Sequence, residues 1–227
     1  MKKFTLSFRL LALLLSSVLV MSCGDDDEDD VAPLTNQIEY DNTRYGADIA
    51  LSIDFGPFGF IEGTNTHYAQ VFALLDTVTK TESTRAVLDM FLLSAGTSVF
   101  KTGTFTYADL SEETDEEAVA AKYRDQNIFI LSAFLLDVNN DQELDEDTEA
   151  FQVKSGTVTV SGTAPNYTIE CDLLMQNDKG LKAHYSGEVF PIPANPDEEE
   201  DDATAGMRKA PKWRSGRGNV LEFIKSR

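Results

Sequence analysis

The chain has 227 residues, with 39 Asp and Glu against 19 Lys and Arg, and a formal net charge of −20. So acidic a chain repels nucleic acid and anionic lipid phosphates at long range, which argues against nucleic acid as a partner of its folded part. Two cysteines, Cys23 and Cys171, leave no disulfide framework, and two histidines, His67 and His184, leave little for acid–base or zinc chemistry.

At the amino terminus Lys2, Lys3 and Arg9 precede an apolar run from Leu10 to Val20, the layout of a secretory signal. The run is too short to span a bilayer, which takes about 20 apolar residues. Leu19-Val20-Met21-Ser22-Cys23-Gly24 follows and resembles a bacterial lipobox. The likeness implies that residues 1–22 are a lipoprotein signal peptide and that Cys23 is the acylated, palmitate-carrying first residue of the mature protein. Asp25-Asp26-Asp27-Glu28-Asp29-Asp30 comes next. Acids directly after the lipidated Cys resemble the export signal of Bacteroidota surface lipoproteins, which implies an outer membrane anchor facing the cell exterior. As a block of like charges, residues 23–35 also read as an extended, solvated spacer.

A β-domain is expected over residues 36–193, with hydrophobicity of period two. Ala47, Ile49, Leu51, Ile53 and Phe55 alternate with Asp48, Ala50, Ser52 and Asp54, the pattern of a half-buried strand. Gly56-Pro57-Phe58-Gly59 interrupts it. Tyr68 to Val78, Arg85 to Ala95 and Val99 to Tyr107 read as further strands. Thr114-Asp115-Glu116-Glu117 then forms a capping box, predicting one short helix that runs on to Asp125. Asn127 to Val138 is apolar on both faces, and its β-branched and aromatic content favours strand. Val153 to Val160, Tyr167 to Met175 and Leu181 to Tyr185 complete the set, the last two joined by Asn177-Asp178-Lys179-Gly180 as a hairpin.

Eight or nine strands at hairpin spacing predict an all-β fold with one short helix. It is either an antiparallel β-barrel (calycin-like) or a two-sheet sandwich. Ser155-Gly156-Thr157-Val158-Thr159-Val160, Asn166-Tyr167-Thr168-Ile169-Glu170, Gly180-Leu181-Lys182 and Tyr185-Ser186-Gly187-Glu188-Val189 resemble the carboxyl-terminal half of small β-rich surface lipoproteins of Bacteroidota, mostly uncharacterised. Thr102-Gly103-Thr104-Phe105-Thr106-Tyr107 resembles an earlier strand of the same pattern. The resemblance supplies structural Gly, Thr and Tyr positions and no catalytic or binding residue.

One stretch has the spacing of a metal loop. Asp137, Asn139 and Asp141 fit the first three ligand positions of a calcium loop, Glu143 offers its carbonyl and Asp145 follows. Gln142 stands where such loops carry Gly, and Thr148 where they carry Glu, so a solvated acidic hairpin is the competing reading. Catalysis has no motif: neither a Gly-x-Ser-x-Gly elbow nor a His-Glu-x-x-His pair is present. Cys171 reads as a small buried hydrophobe. The expected function is therefore non-enzymatic: a surface lipoprotein held to the membrane through the lipid on Cys23, whose β-domain binds an extracellular glycan, protein or small ligand. The alternative is a calycin-like carrier of a small hydrophobic ligand. Pro191, Pro193, Pro196 and the acids from Asp197 to Asp202 mark residues 194–227 as a disordered tail, first acidic and then basic.

Overall fold

The computed structural model describes residues 33–78, 83–110, 113, 115–141, 143–145 and 148–193. The expected signal peptide, Cys23, nearly all of the acidic spacer and the tail lie outside them. The described residues form ten strands and one helix: β1 (Gln37–Tyr40), β2 (Thr43–Gly46), β3 (Ile49–Phe58), β4 (His67–Val78), β5 (Ser83–Ala95), β6 (Gly103–Tyr107), α1 (Glu116–Tyr123), β7 (Ile128–Leu136), β8 (Ala150–Thr163), β9 (Asn166–Met175) and β10 (Gly180–Ile192). Among them no helix is long and apolar enough to cross a membrane.

The strands make one sheet that closes into a ring. β3, β4, β5, β7, β8 and β9 pair in that order, and β10 joins β9 on one side to β3 on the other. Two joins are parallel, β10 to β3 and β6 to β7, so the ring is mostly but not wholly antiparallel. Both parallel joins fall where one strand serves two neighbours along a single edge. The first half of β10 pairs β1 and its last residues pair β3. Likewise β7 pairs β6 near its start and β8 near its end. The β1–β2 hairpin is an element that hydrophobic periodicity alone missed. Its signal is the two-residue turn Asp41-Asn42, both at positive φ (50° and 61°), the backbone that matches strand twist in tight hairpins.

Side chains fill the ring. Phe72 and Leu74 from β4, Leu88, Met90 and Leu92 from β5, Phe129 and Phe134 from β7, and Val158, Ile169 and Leu173 from β8 and β9 are all buried in one cluster. Its rings interlock: Phe72 meets Phe100 and Tyr167 at 5.5 Å each, and Tyr40 meets Phe134 at 5.1 Å. The Sγ of Cys171 on β9 lies 3.5 Å from the Sδ of Met90 on β5, so opposite walls touch. A barrel of about eight strands leaves an interior that side chains just fill.

On β3 the face of smaller residues is the inner one. Its small residues point inward, with Ala50 and Ser52 buried opposite Leu74 and Phe72, while Ile49, Leu51 and Ile53 point outward and are half-buried. The reason is volume: the phenylalanines of β4 and β7 already occupy the interior, and Ala and Ser are what fits beside them.

A second apolar cluster sits on the outside of the ring. Helix α1 brings Val119, Ala120 and Tyr123 against Ala69, Leu93, Ile128 and Ile130, with Phe60 and Leu110 beside them. This cover explains why β7 is apolar on both faces. The helix starts one residue later than the capping box predicts. Asp115 is the N-cap, and its carboxylate accepts from the backbone N–H groups of Glu117 and Ala118.

Gly156 marks a bulge in β8, beside the register shift between Val153 and Ser155. Its φ is +130°, and a Cβ there would sit 2.3 Å from the carbonyl oxygen of Asp172. Replacing Gly156 by Ala is therefore expected to lower unfolding free energy by about 1–3 kcal/mol, measured by chemical denaturation.

Candidate functional site

The acidic loop after β7 is tied down by its own carboxylates. Asp141 N–H donates to the Asp137 side chain (3.2 Å) and to Asn139 Oδ1 (2.8 Å), and Glu143 N–H donates to Asp141 Oδ1 (2.9 Å). These are the side-chain-to-backbone bonds that Asp and Asn make two to four residues on in turns. The structure thus brings Asp137, Asn139 and Asp141 together, as the spacing predicts. Glu143 and Asp145 are exposed. Among the described residues no three Asp, Glu, His or Cys side chains are placed to hold a metal ion. The Asp137 and Asp141 carboxylates accept from backbone N–H groups.

The residue that organises the loop is Glu149, which spacing placed one position out of register. It is buried, with 1% of its surface exposed. One carboxylate oxygen accepts from Val138 N–H and the other from Asp145 N–H, each at 3.0 Å. Its backbone carbonyl accepts from Leu136 N–H, so the same residue closes the loop and starts β8. The only hint in the sequence is an acid directly before the apolar start of a strand.

The histidines lie on different elements and do different work. His67 is fully buried at the start of β4. Its Nε2 faces the carbonyls of Tyr123 (3.0 Å) and Gln126 (3.2 Å), so Nε2 carries the proton and Nδ1 accepts from the Thr66 hydroxyl at 2.8 Å. The ring thus fastens the end of α1 to the ring of strands. His184 is half-buried on the outside of β10, with Asn36 N–H 3.5 Å from its Nδ1. Cys171 is buried, and burial pushes its thiol far above the ordinary range, which keeps it protonated and unreactive. No nucleophile and base meet among these groups.

The outside of the ring has two unlike walls. Across β6, β8, β9 and the first half of β10 it is polar. Thr104 pairs Thr159 and Thr106 pairs Thr157, followed by Glu170 and Asp172, then Lys182 and Ser186. The hydroxyls of Thr104 and Thr159 lie 3.1 Å apart, and those of Thr168 and Ser186 2.9 Å apart. Beside this wall, where the β1–β2 and β9–β10 turns meet, a cleft of about 320 Å³ is lined by Glu39, Asp41, Asp172, Asp178, Lys179 and Lys182. Across β3, β4, β5 and β7 the outside is apolar. Periodicity does not reveal this division, because a strand pattern gives two faces without saying which is inside.

Removing the Glu149 carboxylate leaves two backbone N–H groups without their partner. Glu149→Ala is expected to cost about 1.5–3 kcal/mol of stability by denaturant titration, with calcium or with chelator alike. A loss confined to calcium-containing buffer would make the ion the partner of that carboxylate. For His67, burial holds the imidazole below its ordinary value, against the pull of the Tyr123 and Gln126 carbonyls and of Asp125. Below about pH 6.5 the unfolded chain then binds more protons than the folded one, so stability is lost as the pH falls. His67→Gln is expected to flatten the part of the melting-temperature profile below about pH 6.5 that this group contributes.

Compared with models of known protein families, with curated proteins and with solved structures, the chain has no match in any of the three.

Proposed function

We propose that this chain is a lipid-anchored bacterial surface protein whose β-ring is a non-enzymatic binding module, recognising an extracellular glycan, protein or small ligand on its outer wall. The observation that carries the reading is the filled interior. With Met90 and Cys171 in contact across the ring and Phe72, Phe129 and Phe134 between the walls, recognition falls to the outside. The packing disfavours a carrier, which needs an apolar cavity of a few hundred cubic ångströms to hold its cargo. On the polar wall, hydroxyls, carboxylates and Lys182 beside an open cleft suit a ligand rich in hydroxyl or amide groups.

The address rests on the lipobox-like residues Leu19 to Cys23 and the acids that follow. Each buried acyl CH₂ contributes about 0.8 kcal/mol, so one chain holds weakly and several hold firmly. Extended at about 3.3 Å per residue, the stretch from Gly24 to Thr35 reaches about 40 Å and clears the headgroups.

In cells fed labelled palmitate, the wild-type chain is expected to carry the label and pellet with membranes. Cys23→Ala is expected to lose both properties. Protease added to intact cells is expected to digest the domain; protection until the cells are broken would sink the surface address while leaving the anchor intact.

A further inference from the structure

The apolar outer wall has a regular construction, most of which neither cluster absorbs. Backbone register lines up Ile49, Leu75, Val87 and Leu135 in one row and Ile192, Ile53, Val71 and Phe91 in another. Between them runs Phe190, Leu51, Ala73, Asp89 and Ala133. Ile49, Leu51, Ile53, Leu75, Val87 and Leu135 belong neither to the filled interior nor to the cluster under α1, and Phe190 is 49% exposed. Five strands at about 4.8 Å make this wall roughly 20 Å wide; Val71 and Ala133 are buried in it and the others, Phe190 apart, are half-buried. A contiguous apolar wall that stays partly open to solvent is a docking surface.

We propose that its occupant is the chain's own carboxyl-terminal segment, Asn219–Ile224, docked through Val220, Leu221, Phe223 and Ile224. The chain leaves the fold on this wall, because Phe190 and Ile192, at the end of β10, are two of its members. Beyond Pro193 lie 34 residues, of which 25 precede Asn219. At about 3.3 Å each those 25 reach about 80 Å, far more than the wall requires. Charge also fits. From Met207 on, seven Lys and Arg stand against Glu222 alone, a net +6, and Lys225 and Arg227 border the apolar residues. The rest of the mature chain is strongly acidic. A second copy or an anionic lipid surface would bring like charge against that acidic body. A tethered segment also acts at an effective concentration of order millimolar, so modest affinity suffices.

The test uses the full mature chain in a Cys23→Ala background, compared with a deletion of residues 219–227 and with the double variant Leu221→Asp, Phe223→Asp. Both changes are expected to lower the melting temperature by roughly 4–8 °C and to raise fluorescence of an apolar-surface dye. With Ala73→Cys and Phe223→Cys introduced together, oxidation is expected to give a disulfide within a monomer. Unchanged melting and dye binding in both variants would overturn the proposal. So would a disulfide found only in dimers, which would assign the wall to a second copy.

Discussion

The molecule depends on one backbone constraint, the closing of its sheet at β10. That strand gives one edge to β9 and divides the other between β1 and β3, so the ladder has no gap where the ends of the sheet meet. Unpaired strand edges template aggregation, and closure removes them. Once the ring is closed, every residue is committed by its parity to the inside or the outside. The inside volume is then fixed by strand number, and side chains from opposite walls must share it.

Sharing explains the uneven distribution of large residues. Phe72, Phe105, Phe129 and Phe134 are fully buried, and the strand facing Phe72 answers with Ser52 and Ala50. The larger residues of β3 are consequently on the outside. There they continue an apolar surface that, among the described residues, α1 covers at one end, over Ala69, Leu93, Ile128 and Ile130. The helix is short, eight residues, and too short to hold itself together in water. Its place is secured by packing and by His67, whose Nε2–H reaches the carbonyls at its end.

Buried polarity is handled with the same economy. Asp76, Asp137, Glu149 and His67 are buried, and among the described residues every buried side-chain nitrogen or oxygen has a hydrogen-bond partner. Asp76 meets the guanidinium of Arg85 at 2.9 and 3.1 Å, and Arg85 in turn lies over the ring of Tyr45. This fastens the β1–β2 hairpin to the β4–β5 end of the ring. Glu149 does a comparable job for the long β7–β8 connection with backbone N–H groups in place of a cation.

The sequence by itself determined the all-β class, the eight longer strands and the one helix, because alternation, turn residues and a capping box are local signals. It also brought Asp137, Asn139 and Asp141 into one turn, since bonds two to four residues apart follow from spacing. It missed β1 and β2, four residues each, which are too short for a period to register and are held by pairing with distant β10. It left open which face of β3 is inner. Which parity faces inward is set by the volume that Phe72, Phe129 and Phe134 leave, and those residues arrive from other strands. The role of Glu149 was hidden for the same reason: its partners are backbone groups four and eleven residues away, aligned only when β8 turns back onto β7. Tertiary structure alone decided the two unlike outer walls, because a wall is made of neighbours across the sheet, and register between strands is not written in any one of them.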